Sequence, residues 1–221
     1  MTPDSLIEGL IRFHLHHDQH MIDLSAYSSI IEELSAWRAL FYKLSLIGQN
    51  QHKYHGAGYG NVSARIPPFD TAPNYRSFVI TASQTAHQAI ITPHEYTRVH
   101  HYDFTHYTLH AQGHKKPSSE SMTHAALYDV NPHIRFVFHV HAPVIWHHAQ
   151  HLNLVSTPAH IVYGSRGMAE HMKTLYQNHT FSMGQVLVMG GHQDGIISCG
   201  ASASQAGQAV INAWLKAQKY M

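Results

Sequence analysis

The chain reads as an α/β domain, and three observations predict it. Apolar residues recur at a helical spacing from Ile30 to Leu44, residues 135–141 alternate β-branched and aromatic side chains, and Val186–Met189 is a short apolar run closed by glycines. Helical and strand patterns thus interleave along 221 residues, a length that one hydrophobic core can serve.

In chain order, residues 5–17 carry Leu6, Leu10 and Phe13 at helical spacing and read as a short amphipathic helix, with a solvated His-rich connector after it. Residues 1–27 are accordingly expected to be a helical N-terminal extension ahead of a main domain spanning 28–221. Ser28 or Ser29 is placed to cap the helix that runs to about Ile47. A polar, Gly-rich loop over 49–60 leads into the strand-like Val62–Ile66, and 67–75 is irregular. Ser77–Ser83 reads as a strand, Ile90–Thr92 and Tyr96–Phe104 as further strands or edges, and 99–114 as an exposed antiparallel ribbon. Its His100, His101, His106, His110 and His114 are expected at the surface.

Ser118 and Ser119 open a helix that must stop at Asn131-Pro132, because proline lacks an N–H and clashes with the preceding turn. Glu120 then falls in the first turn. The strand that follows puts Phe136, Phe138 and Val140 on one face and Val137, His139 and His141 on the other. Further on, Ser165 caps a helix over 168–176, the run Val186–Met189 ends in Gly190-Gly191-His192-Gln193-Asp194-Gly195, and Ser202 or Ser204 starts a last helix to about Gln218.

Hydrophobic content of 44% fits a globular protein, and 12% charged residues are few, their place taken by 24 His and by Gln and Ser. A net charge of +1 without a basic run argues against nucleic-acid and polybasic membrane partners. Cys199 is the one cysteine, so no intrachain disulfide forms. With no signal-like start and no long apolar run, a cytoplasmic location is expected.

Among so many histidines about 2.6 His-x-His spacings arise by chance, and two occur. In His14-Leu15-His16 the helical reading sends the rings to different faces, so they would not share a metal. In His139-Val140-His141 the strand aims both at one point, and His192, in a Gly-bounded turn after a buried strand, completes a three-imidazole set with an open coordination position. Glu120 is either a carboxylate stabilised by the helix dipole or a general base beside that metal. Ser118 and Ser119 either cap the helix or, with its free N–H groups, cradle a phosphate. Gly60-Asn61 is an ordinary turn or an anion contact.

The motifs GNVSAR (Gly60 to Arg65), ITAS (Ile80 to Ser83), PSSE (Pro117 to Glu120), HVHAP (His139 to Pro143) and GGHQDG (Gly190 to Gly195) follow in an order that resembles the class II aldolase/adducin family over about residues 31–217. That resemblance implies a three-layer α/β/α fold around a mostly antiparallel sheet. It also implies a homotetramer with sites at subunit interfaces, and a divalent metal, zinc or another such as Mn2+, Fe2+ or Co2+, on His139, His141 and His192. Glu120 would be the acid/base, Tyr163 a loose match to the family's tyrosine proton donor, and Gly60, Asn61, Ser83, Ser118 and Ser119 the contacts of a substrate phosphate. The implied activity is aldolase-type cleavage of a small hydroxy-carbonyl compound such as a sugar phosphate, with epimerase, dehydratase and decarboxylase chemistry on the same scaffold as alternatives. A non-catalytic adducin-like module and a His-rich metal store are the readings from other classes. Three departures stand out: Ala82 and Gln84 where the family often has Pro and Gly, Gln193 and Asp194 between the third His and its glycine, and the loose placing of Tyr163.

Overall fold

The structure, a computed structural model, describes residues 9–220. Its elements in order are β1 (His14–Asp18), α1 (Ser28–Lys43), β2 (Gly48–Gln49), β3 (Gly58–Tyr59), β4 (Asn61–Arg65), β5 (Phe78–Thr81), β6 (Tyr96–Asp103), β7 (Thr108–Gln112), α2 (Ser121–Val130), β8 (Phe136–His141), α3 (Pro143–His147), β9 (Val155–Ser156), α4 (Arg166–Gln177), β10 (Val186–Val188), β11 (Gly195–Gly200) and α5 (Ala203–Ala217). Nine strands form one sheet in the order β1-β7-β6-β5-β4-β8-β11-β10-β9, and β2 pairs with β3 apart from it. Only the two edge pairings, β1 with β7 and β9 with β10, are parallel.

The period-two pattern of β8 divides the protein into two cores. Phe136, Phe138 and Val140 pack with Leu34 and Phe41 of α1, Ile145 of α3 and Val210 of α5. Val137 faces the other way, with Met122 and Leu127 of α2 and Met168 and Met172 of α4. Helices therefore cover both faces, which makes the three-layer α/β/α arrangement.

Several expected boundaries move. Helix α1 takes Ser28 as its first residue behind a Tyr27 cap that makes no side-chain hydrogen bond, and it stops at Lys43 because Ser45 (φ 58°) turns left-handed. Helix α2 begins one residue later than expected, so Glu120 occupies its cap position while the Ser118 hydroxyl accepts from the Glu120 N–H at 3.3 Å. Ile90–Thr92 is no strand; Thr92 instead forms a capping box with Glu95 around a short 3-10 turn.

The N-terminal reading changes type. Residues 5–8 lie outside the described residues, and 14–18 form strand β1 in place of a helix. Its exposure alternates at period two, Leu15 packs on the second core, and the strand joins β7 in parallel register. His14 and His16 therefore share a face after all. The ribbon β6–β7 is antiparallel as expected but not wholly exposed, since Val99, Tyr102, Leu109 and Ala111 are core residues.

Candidate metal centre

Sheet register builds the site. On its two flanks β8 pairs Asn61 of β4 opposite His139 and Gly195 of β11 opposite His141. The hairpin from β10 to β11 returns His192 over the same strand, held by its N–H donating to Met189 O at 3.0 Å and its carbonyl accepting from Gly195 N–H at 2.9 Å. Gly191 makes this turn possible: a Cβ there would stand 1.9 Å from Ile161 O.

His139, His141 and His192 converge, with candidate ligand atoms within 4.8 Å of one another and ring centroids 4.7 to 5.1 Å apart. All three are buried. The His139 Nδ1 lies 3.0 Å from Ile196 O, which can only accept, so the proton sits on Nδ1 and Nε2 presents its lone pair. That Nε2 is buried with no hydrogen-bond partner among the described residues. Desolvation first, and the neighbouring His192 second, hold His139 and His141 well below the ordinary imidazole pKa. Neutral imidazole is the form that ligates, so this donor set fits a divalent transition ion. Among the described residues no other group of three such side chains converges as closely.

The other candidates gather around it. Glu120 Oε1 is 3.9 Å from His192 Nδ1, and the carboxylate is buried. Tyr163, also buried, stacks on the His192 ring at 4.3 Å. Gly60, Asn61, Ser83, Ser118 and Ser119 all line one cavity of about 530 Å³. A bridge between Ala82 and Pro117 draws the ITAS and PSSE segments together, with Ser83 N–H donating to Lys116 O at 2.8 Å. Gly60 (φ +76°) admits no side chain, since a Cβ would lie 2.7 Å from Ile47 Cγ1 and 3.2 Å from His139 O. Gln84, one of the departures, is exposed at the cavity wall with φ 61°.

Two features escaped the sequence reading. Tyr54, in the loop before β3, donates to Asp194 Oδ2 at 2.6 Å and sets its ring edge-on to His141 at 4.7 Å. The Gln193-Asp194 departure pointed at this turn, but nothing in the sequence joined it to a tyrosine 140 positions away. Beneath the site, His124 Nδ1 lies 2.6 Å from Ser63 Oγ, which lies 2.7 Å from Tyr128 Oη. His124 stands one turn after Glu120 and is fully buried; desolvation alone pushes its pKa down to about 3. The spacing Glu120-x-x-x-His124 was the available signal.

A mostly antiparallel sheet between helical layers, with three imidazoles that could hold a metal gathered at the end of β8 and a carboxylate beside them, defines an α/β fold of the class II aldolase type. Residues 47–214 match the family model described as the class II aldolase and adducin N-terminal domain, and the chain belongs to that family. Its fold is similar to a sugar-phosphate aldolase from Thermotoga maritima (16% identity, 88% of this chain and 94% of that one, TM-score 0.63). It is also similar to l-fuculose-1-phosphate aldolase from Thermus thermophilus (15%, 87% and 93%, TM-score 0.60). A third is the N-terminal class II aldolase domain of a Thermoplasma acidophilum protein (18%, 92% and 96%, TM-score 0.58). At such identities the likeness speaks for the fold. No curated protein matches the chain. No helix among the described residues is long and apolar enough to cross a membrane.

Proposed function

We propose that this chain is a metal-dependent lyase of the aldolase type, cleaving a carbon–carbon bond in a small hydroxy-carbonyl compound of the sugar-phosphate class. The observation that carries the reading is the buried three-imidazole set with the Glu120 carboxylate beside it.

In this reading His139, His141 and His192 hold a divalent ion, zinc or another such as Mn2+, Fe2+ or Co2+. Such an ion, when bound, polarises substrate oxygens and offsets the negative charge that develops as the bond breaks. Glu120 takes up and returns the substrate proton on its carboxylate, in a position that burial keeps poor in water. The Tyr163 hydroxyl is the candidate donor to the leaving fragment, its ring held by the stack on His192. Gly60, Asn61, Ser83, Ser118 and Ser119 bind the phosphate through amide N–H and hydroxyl groups, next to the start of α2.

Epimerase, dehydratase and decarboxylase reactions draw on the same groups and are the alternatives. Retention of all three buried imidazoles disfavours a non-catalytic module. We further infer a cytoplasmic homotetramer in which residues 28–221 form the catalytic domain and 1–27 an extension of it.

Elemental analysis of the purified protein is expected to find a tightly held transition metal, lost in His139→Ala and His192→Ala. Glu120→Gln should keep the metal and lose roughly 10²–10⁴ of the turnover found by screening hydroxy-carbonyl phosphates for cleavage. Metal-free wild-type protein, or undiminished turnover in Glu120→Gln, would overturn the assignment.

A further inference from the structure

The other His-x-His of the chain also lies on a strand, and the sheet gives it partners. In the parallel pairing of β1 with β7, His16 stands opposite His110; in the antiparallel pairing of β7 with β6, His110 stands opposite His101. One imidazole from each of three neighbouring strands thus falls in a single cross-strand row. A register shift between Val99 and His101 adds a fourth. Val99 and Tyr102 both face the core, so the extra residue of the bulge, His100, is left beside His101 on the side of His110.

The rings touch in sequence. His16 and His110 stack with centroids 4.4 Å apart and planes at 12°, His101 lies 5.0 Å from His110, and His100 lies 6.1 Å from it. His100 Nδ1 is buried with no hydrogen-bond partner among the described residues. Tyr75 closes one end of the row, 4.8 Å from His101. The outward residues of β1 (His14, His16, Asp18) are exposed and those of β7 (Thr108, His110, Gln112) half-buried, so the row is open to small solutes.

We propose that His16 and His110 form a bidentate site for a borderline divalent transition ion such as Cu2+, Ni2+ or Zn2+, with His101 or His100 as a third ligand. Imidazole suits these ions, and two nitrogens on adjacent strands in register chelate one ion after small side-chain rotations. Because the rings stand in a row and do not close a triangle, the site is looser than the buried centre and exchanges its ion with solvent. The surroundings favour the ligating form: partial burial lowers the pKa values of His100 and His110, Arg98 adds to the shift on His100, and the crowding of imidazoles in the row disfavours a second charge there, against a smaller opposing pull of Asp18 on His100. Nothing in this inference depends on the proposed reaction.

The test is a Cu2+ titration of the dialysed full-length protein, followed by electron paramagnetic resonance, which reports nitrogen coordination. With the buried centre disabled by His139→Ala, a nitrogen-ligated copper signal is expected to remain, and adding His16→Gln or His110→Gln to that variant is expected to abolish it. His16 is exposed on an edge strand, so its variant should fold as wild type does, as checked by circular dichroism. A signal that survives both added Gln substitutions, or no nitrogen-ligated signal in His139→Ala alone, overturns the proposal.

Discussion

The strands β8 and β1 carry the same tripeptide pattern, His-x-His, and put both imidazoles on one face, yet they make opposite surroundings for them. β8 has a partner on each side and helices over both faces, so His139 and His141 are 0% and 1% exposed. β1 is the sheet edge, bonded to β7 alone, and its His14 and His16 face solvent. Burial strips the proton from the first pair and makes each ring nitrogen depend on a fixed partner; water serves the second pair. Spacing decides which face a histidine takes, and position in the sheet decides its chemistry.

The sharpest way to break that comparison is to remove one ring from each strand. His139→Ala opens a void in the core and leaves Ile196 O without its donor, a loss of about 2–4 kcal/mol. Since about 1 kcal/mol moves the melting midpoint of a domain this size by roughly 2–4 °C, a fall of about 5–15 °C is expected in chelator-treated protein. His16→Ala should change stability by no more than about 0.5 kcal/mol. Thermal unfolding of the two variants side by side decides it, and similar shifts would mean that burial does not separate the strands.

The same contrast explains what was legible in the sequence. The alternation of β8, the Ser165 and Ser202 caps and the glycines around His192 are local signals, and the fold keeps them: each Ser hydroxyl accepts from a backbone N–H three residues on. The segment over 5–17 misled because Leu6, Leu10 and Phe13 match a helical period, while the decisive partner of 14–18 lies some 94 positions away in β7. Tyr54 and Asp194 met the same obstacle. Long-range pairing leaves no mark in a window of a dozen residues, whereas the order of the aldolase-like motifs spans the chain and carried the candidate site.

A second test concerns acid. The His124 ring stays neutral in the folded protein down to about pH 3, but the unfolded chain protonates it near pH 6.5. Between those values the unfolded state binds more protons, so stability falls as pH is lowered from about 6.5 toward 3. His139 and His141, also shifted down, act with the same sign. His124→Asn keeps an amide near the Ser63 hydroxyl and removes the titrating ring, so urea unfolding of metal-free protein between pH 7 and pH 4 should show a shallower slope. An unchanged slope would take His124 out of the account and leave the acid sensitivity to other groups, His139 and His141 among them.

The smallest effect is expected where the two regions meet. Gln84 borders both the 530 Å³ cavity and a second hollow shared with His17 and Gln19 at the β1 end. Its left-handed backbone costs a non-glycine residue about 1–2 kcal/mol, and a glycine in its place would lose about 0.5–1 kcal/mol of that gain to the freer unfolded chain. Gln84→Gly should therefore raise stability by no more than about 1.5 kcal/mol, while clearing a side chain from the wall on which Ser83 stands. Tighter binding of inorganic phosphate by calorimetry, with metal content unchanged, would make Gln84 the residue that narrows the anion end of the site. Unchanged binding would leave the hydroxyls and amides of Ser83, Ser118 and Ser119 to set the affinity whatever residue follows them.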